Sequence, residues 1–253
     1  MNIQKLSIVI PAYNEEATIY DVLRKVYYLE LIGNVSKEVI VIDDCSKDTT
    51  YSEIERFQKE FQLVDLLIHK QMVNQGKGAA IHKGIALATG DYLVIQDADL
   101  ELNPEDINLL LDPVIEGKSN VVYGSRFLKN NHTNTSFIWH ILGNGFLTKL
   151  SNVFTGFRLT DMMTCYKLVP TVYLRELQLK EERFGFEPEV TLKLSKLKDV
   201  KISEVSISYI ARTKTEGKKI SSKDGLIVII CILKYWLKSK EQKKVSNFEI
   251  RDF

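Results

Sequence analysis

Cysteine is scarce in this sequence, and long apolar runs are absent. The three cysteines, Cys45, Cys165 and Cys231, are far apart and include no C-x-x-C pair. This usage makes a disulfide framework unnecessary, argues against a structural zinc site and fits buried thiols in a reducing compartment. The longest unbroken apolar run, Leu226 to Leu233, has eight residues, whereas a membrane-spanning helix needs about 20.

An excess of either charge is also missing. The 253 residues carry 34 Lys and Arg against 33 Asp and Glu, so no overall field attracts nucleic acid and any basic site must be local. The first residues run into a strand-like segment without the apolar stretch of a signal peptide, which predicts a cytosolic chain. The length suits one large α/β domain with a substantial core.

Short β-rich apolar runs alternate with helical patterns through the first half of the chain. Strands are predicted at 6–10, 38–42, 64–68, 92–95 and 120–123, and helices at 15–31, 48–61, 78–88 and 104–116. Units of this length predict a mostly parallel sheet covered by helices on both faces. Ligands of such sheets bind beyond the carboxyl ends of the strands, so residues just after each apolar run are the candidates for a site.

The second half of the chain is less regular. Helical patterns cover residues 136–154, the segment from Pro170 and residues 187–197; a late strand is predicted at 200–209 and a final helix at 223–238. No internal repeat or Pro/Gly-rich linker divides the chain. The sequence therefore predicts one domain with a C-terminal elaboration.

Acidic side chains follow the predicted strand at 92–95. Asp97 and Asp99 flank Ala98, and Glu101 comes two residues later. Carboxylates at alternate positions of a tight strand exit can converge on one hard divalent cation, whose remaining positions accept phosphate oxygens. The alternative is a solvated acidic turn, but the position at the end of a strand in a parallel sheet favours a site for a nucleotide diphosphate.

A second acidic pair, Asp43-Asp44, ends the predicted strand at 38–42. Carboxylates there can accept hydrogen bonds from a base N–H or from ribose hydroxyls. Tyr13, after the first strand, offers a ring face for stacking on the base. The alternative for the pair is helix capping, since one Asp can cap while the other binds.

Basic groups lie near the same predicted edge. Lys77, between Gly76 and Gly78, could bring an ammonium and backbone N–H groups to phosphate, although the segment matches neither a P-loop nor a dinucleotide fingerprint. Arg126 follows the strand at 120–123, and a later loop holds Arg212 and Lys218. Guanidinium groups match phosphate oxygens, so this loop could close over a pyrophosphate or an acceptor phosphate, or could be a solvated basic turn.

The last helical segment is apolar on nearly every face. The run from Leu226 to Leu233 is followed by Lys234, Tyr235 and Trp236. Such a helix must pack on the domain, pair with a second copy of the chain or lie in a bilayer interface, and flanking Lys, Tyr and Trp suit the interface.

Together these segments resemble glycosyltransferase family 2, of GT-A fold, and within it the dolichol-phosphate mannose synthase-like group. The resemblance spans roughly residues 5 to 235. It is carried by Ser7–Glu16, Val41–Ser46, Gly76–Ala80, Ala88–Asp91, Asp97–Asp99, Gly124–Arg126 and Gly185–Glu187. Their order and spacing are more specific than any single motif.

The resemblance implies a role for individual residues. Pro11, Tyr13, Glu15 and Asp44 would hold the nucleoside; Asp97, Asp99 and Glu101 would surround Mg²⁺ or Mn²⁺; Arg126, Arg212 and Lys218 would handle phosphates. The family often has Gln where Glu101 stands and Gly where Cys45 stands, which leaves the ligation by Glu101 and the backbone geometry at Cys45 open. Asp161 would either orient the acceptor or donor sugar or be structural.

The resemblance also implies the reaction. A sugar would pass with inversion from a UDP- or GDP-sugar to a polyprenyl or dolichyl phosphate at the cytosolic face of a membrane. Residues 1–215 would form the GT-A domain and residues 216–253 a basic loop, an apolar helix and a tail. Membrane contact would come from that helix or from a membrane-protein partner, and a homodimer is compatible with it. The alternatives are a hydroxyl acceptor in glycan synthesis, a sugar-1-phosphate nucleotidyltransferase and a binding protein without activity.

Overall fold

The computed structural model describes residues 3–61, 65–128, 138–211 and 225–237. Its strands are β1 (Lys5–Ala12), β2 (Ser36–Asp43), β3 (Leu66–Lys70), β4 (Tyr92–Ile95), β5 (Val121–Ser125), β6 (Lys167–Pro170) and β7 (Ile202–Ser206). Its α-helices are α1 (Ile19–Tyr28), α2 (Thr50–Phe61), α3 (Lys77–Leu87), α4 (Ile107–Ile115), α5 (Ile138–Thr155), α6 (Thr171–Glu176), α7 (Phe186–Leu194) and α8 (225–237). Short 3₁₀ turns cover Ile32–Asn34 and Pro104–Asp106.

In the described part of the chain these strands form one sheet, in the order β3-β2-β1-β4-β6-β5-β7. Neighbours are parallel except at β6, which runs antiparallel to β4 and to β5. The carboxyl ends of the other strands therefore lie at one edge, and the segment that leads into β6 arrives at that same edge. The predicted mixed α/β class with a mostly parallel sheet is confirmed.

Two apolar layers cover the sheet because successive side chains of a strand point to opposite faces. In β1, Ile8 and Ile10 belong to one buried cluster, with α1, α2 and α4. Val9 belongs to the other cluster, with α3, α6, α7 and α8. The five inner strands are buried along most of their length for this reason, which explains their mainly apolar sequences. The edge strands β3 and β7 are only partly buried.

Helix α1 shows the spacing of an amphipathic face. In α1 the buried residues are Ile19, Val22, Leu23 and Val26. The helix begins four residues later than the sequence pattern predicts, because residues 15–18 form a turn in which the Thr18 and Ile19 N–H groups donate to the Glu15 carbonyl at 3.1 and 2.9 Å. Within the described residues no helix combines the length and the apolar composition needed to span a membrane.

Candidate active site at the carboxyl edge of the sheet

The loop after β1 is tied to the loop after β2. Asn14 has a left-handed backbone (φ 52°), its N–H donates to Ser46 Oγ at 3.0 Å, and its Oδ1 accepts from the Lys47 N–H at 2.8 Å. The Glu15 N–H donates to Thr50 Oγ1 at 2.7 Å. Asn adopts the left-handed region more readily than most residues, so this position suits the turn. The two loops thus form one rim, and the half-buried Tyr13 is the first residue after β1.

Asp43 and Asp44 have different surroundings. Asp43 is fully buried, and its Oδ1 accepts from the Ser46 N–H at 3.3 Å and from Ser46 Oγ. Its buried Oδ2 has no hydrogen-bond partner among the described residues. Asp44 instead accepts from four donors of the loop after β3: Gln71 Nε2, Asn74 Nδ2, Gln75 N–H and Gly76 N–H, at 2.7 to 3.0 Å. A base could reach Asp44 only by exchange with one of the two side-chain amides.

Cys45, where the family commonly has Gly, has a left-handed backbone with φ 60°. The sequence left this geometry open. A non-glycine residue in this region costs roughly 1–2 kcal/mol because Cβ crowds the carbonyl oxygen. The hydrogen bonds of Asp43 and Asp44 on either side hold the turn in place.

Lys77, Asp97 and Cys165 meet at the centre of the edge. Lys77 is the first residue of α3, and its Nζ donates to Asp97 Oδ1 and to Cys165 Sγ, the latter at 2.9 Å. The side chains of Lys77 and Asp97 are 28% and 19% exposed. Cys165 reaches this point because β6 is antiparallel, so the residues before it lie beside the end of β4.

Burial and charge act in opposite directions on this pair. Burial alone would raise the pKa of Asp97, but the Lys77 ammonium outweighs it and the pKa is lowered. Burial alone would lower the pKa of Lys77, but the Asp97 carboxylate outweighs it and the pKa is raised. Both groups are therefore charged at neutral pH. The pKa of the Cys165 thiol is raised by burial and then by Asp97, so it stays protonated.

Three polar residues fix the backbone around Ala98, which is buried. Thr18 Oγ1 donates to the Ala98 carbonyl at 2.9 Å and lies 3.1 Å from Glu15 Oε2. Gln96 Nε2 donates to the Asp97 carbonyl at 3.1 Å, and the Tyr166 hydroxyl donates to Gln96 Oε1. Sequence reasoning missed these supporting residues, because only the fold brings them to the acidic turn.

The three predicted metal ligands do not gather around one point. Asp97 is turned to Lys77, Asp99 Oδ1 accepts from the Glu101 N–H at 3.1 Å, and Glu101 Oε2 accepts from the Tyr209 hydroxyl at 2.9 Å. In the described part of the chain no three His, Cys, Asp or Glu side chains are grouped to hold a metal ion. The carboxylate oxygens have the hardness that Mg²⁺ or Mn²⁺ requires, but Asp97 would first have to exchange its ammonium partner.

Arg126 and Asp161 form a bidentate pair beyond β5. The guanidinium donates from Nε to Oδ2 at 2.7 Å and from Nη2 to Oδ1 at 2.9 Å, and Asp161 is fully buried. Asn144 Nδ2, on α5, donates to the same carboxylate at 2.9 Å. Burial would raise the pKa of Asp161, but Arg126 outweighs it and lowers that pKa. Arg126, which is predicted to bind phosphate, is therefore already paired with Asp161, which is predicted to orient a sugar or to be structural.

A second buried ion pair joins Lys167, at the start of β6, to Glu187, in the first turn of α7. Lys167 Nζ donates to Glu187 Oε2 and to the Thr164 carbonyl, and the side chains are 1% and 7% exposed. The ammonium also lies 4.8 Å from the centroid of the Tyr123 ring. The sequence contains Glu187 in a motif of the resemblance, but it carried no signal that Lys167 would be its partner.

Two residues that are predicted to bind phosphate cannot be placed in the structure. Arg212 and Lys218 lie outside the described residues, as does the remainder of the basic loop. Pro11, predicted to hold the nucleoside, is buried in the last part of β1, in register with Ile42 of β2. The described edge thus combines the loops after β1 and β2, the Lys77–Asp97 pair and two buried ion pairs.

Comparison with known proteins agrees with this arrangement. The sequence model of "Glycosyl transferase family 2" matches residues 7–177, which include the loops after β1 and β2, the acidic turn and both partners of the Arg126–Asp161 pair. The chain belongs to glycosyl transferase family 2. The family predicted from the motifs is confirmed.

Relatives of this family 2 chain include two named transferases. It is 29% identical over 248 residues to a dolichyl-phosphate beta-glucosyltransferase of Trichomonas vaginalis, a match that covers 90% of this chain and 72% of the relative. It is 28% identical over 236 residues to a dolichyl-phosphate beta-glucosyltransferase of Dictyostelium discoideum, covering 85% and 68%.

The family 2 chain also shares its fold with solved structures. Glucosyl-3-phosphoglycerate synthase from Mycobacterium tuberculosis, solved with Mn²⁺, uridine diphosphate and phosphoglyceric acid, superposes with a TM-score of 0.68 at 20% identity. The superposition covers 92% of this chain and 78% of that one. The predicted GT-A fold is confirmed.

Proposed function

We propose that this family 2 enzyme transfers a sugar from a nucleoside diphosphate sugar to a polyprenyl phosphate, with inversion at the sugar carbon and with a divalent cation. The observation that carries the acceptor assignment is the state of two buried acidic residues beyond β4. Asp161 and Glu187 are each held by a cation, Arg126 and Lys167. Neither is available to remove a proton, which suits an acceptor that is already an anion.

The donor would lie across the carboxyl edge. The rim formed by the loops after β1 and β2 would receive the nucleoside, with Tyr13 and Glu15 as its aromatic and polar surface. The buried Asp43 Oδ2, which has no hydrogen-bond partner among the described residues, would be a further acceptor. The diphosphate would lie near Lys77, at the end of β4, and the sugar beyond it toward β6 and β5. Both relatives are named for transfer to dolichyl phosphate, and the fold neighbour was solved with uridine diphosphate and Mn²⁺.

Asp97 and Asp99, with Glu101, would hold the cation. Such a cation supplies charge that offsets the negative charge growing on the departing nucleoside diphosphate. Thr18 and Gln96 hold the acidic turn in place. The Arg126 guanidinium, positioned by Asp161, would lie beside the path of the acceptor. No proton transfer is required, because a phosphate oxygen attacks directly.

A matched pair of acceptors tests the proposal. The purified chain is given Mn²⁺ or Mg²⁺, one of a panel of UDP- and GDP-sugars, and either a polyprenyl phosphate or the corresponding polyprenol in detergent. Transfer to the phosphate and none to the alcohol is expected. Equal or faster transfer to the alcohol, or to a saccharide, would assign the enzyme to hydroxyl acceptors in glycan synthesis.

The proposal extends to where the enzyme works, because α8 presents an apolar stripe. Its inner face, Val228, Cys231, Ile232 and Tyr235, packs in the core. Its outer face exposes Leu226, Ile227, Ile230, Leu233 and Leu237. On the neighbouring helix α5, joined to α8 by a contact between Phe154 and Trp236, Phe146 and Val153 are 59% and 77% exposed.

We assign this stripe to a bilayer interface with anionic lipid. The chain on both sides of α8 is rich in Lys and Arg, with five such residues in 212–224 and five in 238–253, and basic segments beside an apolar face bind anionic lipid surfaces. A lipid-linked acceptor would reach the site from the same surface. The sequence analysis left packing on the domain and contact with a bilayer interface open for this helix. The inner face packs on the domain, and the exposed stripe supports contact with the interface.

Flotation with vesicles tests the assignment. The variant Ile230→Glu/Leu233→Glu is expected to lose binding to vesicles that contain phosphatidylserine, whereas Leu109→Glu, on exposed α4 at the other face of the sheet, is expected to bind like the natural chain. Equal flotation of all three proteins would exclude the stripe as the lipid surface. If the natural chain and Leu109→Glu form dimers and only the stripe variant is a monomer, the stripe instead contacts a second copy of the chain.

A further inference from the structure

Lys77 occupies the position of a cation at the acidic turn. Its Nζ contacts Asp97 Oδ1 and lies 2.9 Å from Cys165 Sγ, so three separate segments meet at this one ammonium. Asp97 is also the first acidic residue of the turn proposed to bind the metal. An ammonium and a divalent cation cannot share that carboxylate without strong mutual repulsion.

The backbone of Lys77 is held firmly. Gly76 has φ +101°, and the space next to it is filled: an added Cβ would lie 2.6 Å from the Glu182 carbonyl oxygen. At Gly78 an added Cβ would lie 2.2 Å from the Glu181 carbonyl oxygen. The start of α3 therefore packs closely against the segment before α7, so a change of partner by Lys77 would use its long side chain.

We infer that Lys77 is an exchangeable counter-ion of Asp97, which holds that carboxylate in the nucleotide-free enzyme and moves to the donor's diphosphate when the divalent cation binds. The inference rests on the proposed function. Without a nucleotide, the metal must displace an ammonium that then has no anionic partner. With a nucleotide, the diphosphate accepts the ammonium, so metal and nucleotide bind cooperatively.

Titration with Mn²⁺, followed by electron paramagnetic resonance of the free ion, measures this coupling. Each protein is titrated with and without a nucleoside diphosphate, either UDP or GDP. The natural chain is expected to bind Mn²⁺ at least about tenfold more tightly with the nucleotide than without it. Lys77→Met is expected to bind Mn²⁺ alone about tenfold more tightly than the natural chain, and to show a smaller effect of the nucleotide.

Matched variants separate the exchange from other effects. Lys77→Arg keeps the charge and is expected to keep the coupling. Lys83→Met removes another ammonium of α3 and is expected to behave like the natural chain. Cys165→Ala removes only the thiol contact with Lys77, and is expected to change Mn²⁺ binding in the direction of Lys77→Met but less, which gives a second measurement if Lys77→Met does not fold.

The outcomes distinguish this inference from the proposed function. If the natural chain binds no Mn²⁺ with either nucleotide, the proposed metal-dependent donor site is wrong. If it binds Mn²⁺ with nucleotide but the nucleotide-free affinities of Lys77→Met and Cys165→Ala equal that of the natural chain, the exchange is wrong and the donor site stands. A crystal structure with Mn²⁺ and nucleotide in which Lys77 still contacts Asp97 would also overturn it.

Discussion

The two halves of the sheet build the carboxyl edge in different ways. In the β1–β3 half, acidic side chains accept hydrogen bonds from backbone N–H groups, amides and hydroxyls: Asp44 has four such donors, and Asp43 has Ser46. In the β4–β7 half, Asp97, Asp161 and Glu187 face full cations, although Asp99 and Glu101 accept from a backbone N–H and a hydroxyl. The neutral hydrogen bonds of the first half hold the loops in their conformation, whereas the ion pairs of the second half hold charged side chains in position.

This difference has a consequence for how each half meets a ligand. Where neutral hydrogen bonds hold a loop, a carboxylate oxygen can be left without a donor, as Asp43 Oδ2 is among the described residues; under the proposed function this oxygen would accept from a base or a ribose. Carboxylates neutralised by cations have little capacity to act as bases, yet their cations still attract phosphate. Under the proposed function, the β1–β3 half would recognise the nucleoside, whereas cations of the β4–β7 half would exchange partners when the donor binds.

The largest expected effect is on the acidic turn. Asp99→Ala is expected to lower kcat by about 10²–10³-fold, because a group that helps to stabilise the charge of the departing diphosphate is lost. The unfolding transition should stay close to that of the natural chain. Asp21→Ala, an exposed aspartate of α1, is the control. Unchanged turnover of Asp99→Ala would remove this residue from the metal site.

The next largest effect tests the buried ion pairs. Asp161→Asn is expected to lower the free energy of unfolding by about 3–5 kcal/mol, because the Arg126 guanidinium is left buried without its counter-charge. Breaking the exposed Asp21–Arg24 pair should cost at most about 1 kcal/mol, which gives the matched control. Denaturant titration measures both. If Asp161→Asn lowers the free energy of unfolding as little as the loss of the exposed pair does, the stability of the β4–β7 half does not depend on this ion pair.

The third prediction uses pH in the β1–β3 half. Burial alone would raise the pKa of Glu38, but hydrogen bonds from Ser7, Thr89 and Lys5 outweigh it and bring the pKa to about 2. Since this folded value lies below the ordinary 4.5, the stability from Glu38 is complete above about pH 5 and is lost as the pH falls toward 2.

Glu38→Gln should therefore be less stable than the natural chain by about 2–3 kcal/mol at pH 7. The gap should narrow steadily between pH 5 and pH 2. Denaturant titrations across that range check it, with Glu55→Gln on α2 as a control. A constant gap would mean that the loss comes from packing and not from the charge.

The smallest effect is expected at the left-handed turn between the two acidic residues. Cys45→Gly relieves roughly 1–2 kcal/mol of backbone crowding, but glycine loses more freedom on folding, about 0.5–1 kcal/mol. A net stabilisation of about 0.5 kcal/mol follows from these two terms. A thermal melt measures it, and a loss of stability would show that the Cys45 thiol contributes to packing.

The sequence by itself determined the sheet class, most elements of the first half and the family, and it predicts a site at the carboxyl edge. These features depend on residues that are close together in the chain. They are apolar runs that alternate with helical patterns, glycines at turns, and acidic residues directly after strands. The loops after β1 and β2 are the clearest example, since both partners were visible as motifs.

Only the tertiary structure decided which charged side chains pair with each other. Lys77 lies 20 residues from Asp97, Arg126 lies 35 from Asp161, and Lys167 lies 20 from Glu187, and no local pattern connects the members of these pairs. The antiparallel direction of β6 brings Cys165 and Lys167 to the edge, and a one-sided α8 leaves its stripe exposed. Charge pairing and exposure depend on distances in space, which the spacing of residues along a chain does not fix.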